Sequence, residues 1–262
     1  MRLMPRSTVG AATAALLPAL LLGAVGCGTD APAGGKAPDP KGSAPAATPA
    51  GSSSAGSPPA GSPSGAAAPP KTGGTRLERS ALEQGDLPGY QVSAQPKNPN
   101  APDGQPQADR KACQPLADIM GDEPDPAARE TVNRGIGSQK EVGLAVSASV
   151  SSYAERDAKA LITRLEDAVT ACGTGFTATV EKQSGSYRDV RATDYRTAGD
   201  DTVSWTTTAA AQGVSAQVHV VVVRQGDTVV RLMALNVTGA GQKAQVPHAV
   251  ADKQLEKVRR AG

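Results

Sequence analysis

Aromatic side chains are nearly absent from this chain, with one Phe, one Trp and four Tyr among 262 residues. A core built on stacked rings is excluded, so any core must be made of Val, Leu, Ile and Ala. Histidine is as scarce, with only His219 and His248, and the three cysteines are Cys27, Cys113 and Cys172. No CxxC or HxxxH spacing occurs, so no zinc ligand set is present and no metal is expected. There is also no GxSxG elbow, no GxxxxGKS/T phosphate loop, no dinucleotide fingerprint behind a strand and no SxxK pair. These absences point away from an enzyme, and neither a catalytic residue nor a cofactor is assigned. An excess of one charge is missing too: 27 basic residues stand against 25 acidic, and no basic run exceeds Arg259-Arg260. Without a basic footprint, nucleic acid is excluded as a partner.

What is present begins at the N-terminus. Arg2 and Arg6 form a short positive region, and no further charge appears until Asp30. The apolar stretch from Val9 to Val25 is broken by Pro18 and rich in Ala and Gly, which suits a cleaved signal better than a spanning helix of about 20 residues. It ends in Leu22-Gly23-Ala24-Val25-Gly26-Cys27, which resembles the lipobox of bacterial lipoproteins, although Ala24 stands where that family most often has Leu. The resemblance implies a signal peptide over 1–26 and a diacylglyceryl thioether on Cys27. Two acyl chains on one residue suffice for stable anchoring, so the membrane is expected as a partner and the outer face of the cell membrane as the location. An uncleaved anchor with unmodified Cys27 is the alternative, and it leads to the same topology.

From Gly28 to Thr75 the chain contains only Gly, Ala, Pro, Ser, Thr, Asp and Lys. With no side chain able to build a core, residues 27–75 are expected to form a disordered tether spanning roughly 40 Å. The remaining residues 76–262 have the length of one domain. Removing Arg2 and Arg6 with the signal leaves 25 charges of each sign. Lipidation of Cys27 would leave Cys113 and Cys172 with only each other, in a compartment that permits disulfides. A bridge between them would close a loop of about 59 residues, worth roughly 4 kcal/mol. Two buried free thiols are the alternative.

Periodicity outlines the domain. A short helix is expected over Arg76–Gln84, a strand at Gln91-Val92, a long Pro/Asn/Gly loop over Lys97–Arg110, a brief helix from Pro115, and another from Asp125-Pro126 to near Gly135. Val142 to Val150 alternates as a half-buried strand and leads into a helix over Tyr153–Ala171, whose apolar face ends at Cys172. Strands follow at Phe176–Lys182, Tyr187–Tyr195, Thr202–Ala211, Val214–Gln225 and Thr228–Thr238, and a last helix opens at Pro247. The expected class is α+β, an antiparallel sheet with helices packed mainly on one face. Trp205 is expected in the core, His248 at the surface, and the acidic turn Asp122-Glu123-Pro124-Asp125 lacks the alternating ligands of a calcium loop.

The lipobox, the tether, the Leu87-Pro88-Gly89-Tyr90 opening, the pair Cys113 and Cys172 and the final hairpin together resemble actinobacterial lipoproteins related to the extracellular sensor domain of PknH-type receptor kinases. A second disulfide usual in those sensor domains is absent here. The resemblance implies a non-enzymatic domain that binds an extracytoplasmic ligand, and it supplies no ligand identity. A structural or interaction role with another envelope protein is the second reading, and an enzyme of unrecognised type the third. Gly226-Asp227 makes a two-residue hairpin turn, so Gln225 should face Thr228. That register places Val218, Val220, Val222, Val229 and Met233 on a core face and Gln217, His219 and Asn236 on the opposite, graded face, where a ligand or partner is expected to bind.

Overall fold

The computed structural model describes residues 74–98, 104–121, 124, 126–236 and 243–262. The expected signal peptide, Cys27 and almost all of the tether lie outside these residues. The elements are α1 (Arg76–Ser80), β1 (Tyr90–Gln95), β2 (Gln107–Ala108), a 3-10 turn (Lys111–Cys113) that runs into α2 (Gln114–Met120), β3 (Glu130–Ser138), β4 (Leu144–Ser152), α3 (Glu155–Ala171), β5 (Phe176–Val180), β6 (Gln183–Ala192), β7 (Asp201–Ala211), β8 (Val214–Gln225), β9 (Thr228–Asn236) and α4 (His248–Ala261). The strands form one nine-stranded sheet in the order β1-β3-β4-β9-β8-β7-β6-β5-β2. Every neighbouring pair is antiparallel, as expected for an α+β domain.

Strands β5 to β9 are a meander, and β9 closes against β4, the inner strand of the β3–β4 hairpin. Helix α3 makes the connection from β4 to β5 that this order requires. Its Ala158, Leu161, Ile162, Leu165, Ala168 and Val169 are buried at helical spacing, while Glu155 and Asp157 occupy the first turn, where acidic groups complement the helix dipole. Helix α1 is only five residues long and is held by a capping box: the Glu78 N–H donates to the Thr75 hydroxyl and the Thr75 N–H to the Glu78 carboxylate.

Helices cover both faces of the sheet, which corrects the expectation that they lie mainly on one. One core joins α2 and α3 to Val218, Val220, Val222, Val229, Met233 and the fully buried Trp205. The other joins α1 and α4 to Ile136, Val146, Val150, Val221, Val223, Val230 and Leu232. The reason is the composition of the central strands, where Val220-Val221-Val222-Val223 is apolar without alternation and both sides must leave water. Gln254 of α4, itself fully buried, ties the second layer together by accepting from the Leu82 N–H and donating to the Ser80 carbonyl.

Two local expectations change. The helix expected to begin at Asp125-Pro126 is replaced by β3, since Thr131, Asn133 and Gly135 pair with Ser151, Ser149 and Ser147 of β4. Asp125 itself lies outside the described residues. Val142 belongs to the β3–β4 turn and is 79% exposed, so the strand begins at Leu144.

Candidate functional site

The β8–β9 hairpin has the expected register. Gln225 faces Thr228 and His219 faces Ala234. Gly226 takes the positive φ of 61° that the first position of such a turn requires. The face bearing Gln217, His219 and Asn236, however, is covered. His219 is 2% exposed, and Gln217 and Asn236 are half-buried. Residues 243–247, leading into α4, lie across it: the Ala244 N–H donates to Gln217 Oε1 at 3.2 Å and the Val246 N–H to His219 Nδ1 at 3.0 Å. The open face expected at these residues is thus a lined core, because the apolar partners Val221, Leu232 and Ala234 around His219 need a cover of their own.

Hydrogen bonding assigns the His219 tautomer. Nδ1 accepts from Val246, so the proton sits on Nε2 and donates to Thr193 Oγ1 at 3.2 Å. The Thr193 hydroxyl continues to Ser204 Oγ at 2.7 Å, which in turn donates to the Thr193 carbonyl at 2.8 Å. Burial, and after it the nearby His248, pushes the His219 pKa down to about 4. Tyr195 stands edge-on to His219 and stacks on the exposed His248 with ring centroids 4.3 Å apart. Its own pKa is raised by burial and then by Asp252. His219 is thus a buried, neutral packing group hydrogen-bonded at both ring nitrogens.

Cys113 and Cys172 are joined in a disulfide with Cα atoms 5.9 Å apart. The bridge fastens the start of α2 to the end of α3, and both residues are fully buried. Of the acidic turn, Asp122, Glu123 and Asp125 lie outside the described residues; among the described residues no group of three His, Cys, Asp or Glu is placed to hold a metal ion. The buried Arg231, on the same face of β9 as Val229 and Met233, donates to the carbonyls of Ile119 and Gly121 at 2.7 and 2.6 Å and to the Ser149 hydroxyl. It thereby satisfies the C-terminal carbonyls of α2.

An open concavity lies elsewhere, at the outer end of the sheet where β1 is the edge strand. It has a volume of about 420 Å³ and is lined by Gln84, Gln91, Val92, Ser93, Gly135, Gly137 and Gln139. Strand alternation explains its composition. Gln91 pairs with Gly137 and Ser93 with Gly135, so these residues share one face while Val92 and Ile136 point to the core beneath α1 and α4. Gly137 leaves an open floor there, while the space over Gly135 is taken by neighbouring side chains. A Cβ at Gly137 would meet nothing within 4 Å, whereas one at Gly135 would come within 3.0 Å of Gln95 Nε2 and 3.2 Å of Ser93 Oγ. At the edge, Gln84 Oε1 accepts the Val92 N–H at 2.9 Å. None of the lining side chains is charged. Reading 126–135 as a helix concealed this site, although the alternation in Gly135-Ile136-Gly137 carried the signal.

Solved structures similar to this chain include two mycobacterial proteins. The extracellular domain of PknH from Mycobacterium tuberculosis aligns with a TM-score of 0.46 at 12% identity, covering 71% of this chain and 94% of the other. A putative uncharacterized protein from Mycobacterium smegmatis, an Rv0999 ortholog, aligns with a TM-score of 0.37 at 12% identity, covering 67% and 90%. No protein-family model matches the sequence, and no curated protein matches it significantly.

Proposed function

We propose that this chain is a lipid-anchored extracytoplasmic lipoprotein whose α+β domain binds a ligand without transforming it. The observation that carries the reading is the β1–β3 groove, which combines a size suited to a small ligand with a polar lining that holds no titratable side chain. No lining side chain is an acid or a base, and the Ser93 hydroxyl, held between Gln95 Nε2 and the Gly135 carbonyl, has no base beside it to activate it. The Cys113–Cys172 bridge supports an oxidising location, since structural disulfides are rare in reducing compartments. The lipobox-like residues ending at Cys27 support the anchor.

Two measurements test this. For the anchor, Cys27→Ser expressed in the native host should accumulate as uncleaved precursor and leave the lipid-labelled fraction; mature protein of normal size would refute lipidation at Cys27. For the ligand, a photo-crosslinking residue placed at Gln91 of the full chain on intact cells should give a discrete adduct. The same residue at the exposed Arg156 of α3, a part of the domain with no share in the groove, should give none. Equal labelling at both positions, or none at Gln91, would remove the groove as the binding site.

A further inference from the structure

We infer that the β1–β3 groove recognises a neutral, hydroxyl-rich ligand, the chemistry of an uncharged glycan. The inference rests on the reading of this groove as the ligand site and adds the chemical class. Each sugar hydroxyl is both a donor and an acceptor, and a primary amide offers both from one planar group. Three such amides, Gln84, Gln91 and Gln139, line the groove together with the Ser93 hydroxyl. Gln91 and Gln139 are exposed, and their side chains make no hydrogen bond to any other described residue. Ser93 is already bonded on both sides, accepting from Gln95 Nε2 at 3.0 Å and donating to the Gly135 carbonyl at 3.4 Å, so it is held in place as one wall.

Other ligand classes fit less well. A phosphate or carboxylate calls for Lys, Arg or a helix N-terminus, and a cation calls for carboxylates; the lining supplies neither. An acyl chain needs apolar walls, and Val92 is the only apolar side chain present. An extended peptide adding to the free edge of β1 would have to displace Gln84, whose side chain already satisfies the Val92 N–H. The bare backbone at Gly137 instead leaves an open floor against which a ring can lie, bounded at Gly135 by the Ser93 and Gln95 side chains. This is the close approach that glycine in a strand permits.

Full-length protein in detergent, applied to arrays of neutral glycans, anionic glycans and unmodified peptides, tests the inference. Binding to neutral glycans is expected, lost in Gly137→Leu and weakened about tenfold or more in Gln91→Ala/Gln139→Ala, where two hydrogen bonds go at once. Gly137 has ordinary strand backbone and open space above it, so leucine there fills the groove without displacing its neighbours. The double alanine variant covers the case in which leucine impairs folding. Capture of peptides or anionic glycans that Gly137→Leu abolishes would overturn the glycan assignment and leave the groove standing as the site. Neutral-glycan binding indifferent to both variants would overturn the groove itself, and absence of glycan binding would overturn the inference.

Discussion

Breaking the Cys113–Cys172 bridge is expected to lower stability by about 4 kcal/mol, the loop-closure value for a cross-link between residues 59 positions apart. Its position argues for the full effect. Both cysteines are completely buried in the core shared by α2, α3 and the sheet. Helix α2 has only seven residues, too few to persist without tertiary support. Its other restraints are the Arg231 hydrogen bonds, those of Gln114 and Asp118 to residues 105–108, that of Asn98 to the Met120 carbonyl, and a few apolar side chains such as Leu116 and Ile119. For a domain of this size the loss corresponds to a melting temperature lower by roughly 10 °C. Thermal unfolding of Cys113→Ala/Cys172→Ala against the oxidised parent measures it. A change under about 2 °C would show that the bridge holds nothing the core does not already hold.

Stability should fall on acidification because of His219. Its pKa in the folded chain is about 4, below the value near 6.5 of an exposed histidine, so between those pH values the unfolded chain binds the additional proton. The contribution is complete above about pH 6.5 and is lost as the pH falls, the loss amounting to about 3 kcal/mol by pH 4. The structural reason is specific. Protonation puts a hydrogen on Nδ1, where the Val246 N–H already points, so the bond that fastens residues 243–247 must break. Nε2 is already a donor to Thr193, and the facing groups offer no relief: Tyr195 lies edge-on with His248 stacked behind it, and the Asp252 carboxylate acts on Tyr195. Chemical denaturation from pH 7 to pH 4 should therefore show a slope that His219→Asn removes, since the Asn oxygen can accept from Val246 without titrating. An unchanged slope in that variant would assign the acid sensitivity to other groups.

Much of the architecture was legible because it is written in local periodicity. Helix α3, with apolar residues from Ala158 to Val169 on one stripe, and the β8–β9 hairpin, with its Gly226-Asp227 turn, are set by contacts within a few residues. The disulfide was legible through the cysteine count. Segment 126–138 was not, because Gly135 and Gly137 read equally as a helix stop and as strand positions facing an empty groove, and only pairing with β1 and β4 decides between them.

The sequence by itself determined the α+β class, the order of most elements, the register of the final hairpin and the pairing of Cys113 with Cys172. It is also the whole basis for reading residues 1–75 as signal, lipidated cysteine and tether. Tertiary structure alone decided that helices cover both sheet faces, that residues 243–247 close over His219, and that the open concavity lies at the β1 edge. The division has a physical cause. Periodicity and turn chemistry act over two to four residues and survive in the linear chain. Which face is left uncovered depends on where distant segments return, here α4 more than 100 residues after β3, and no local pattern encodes that destination.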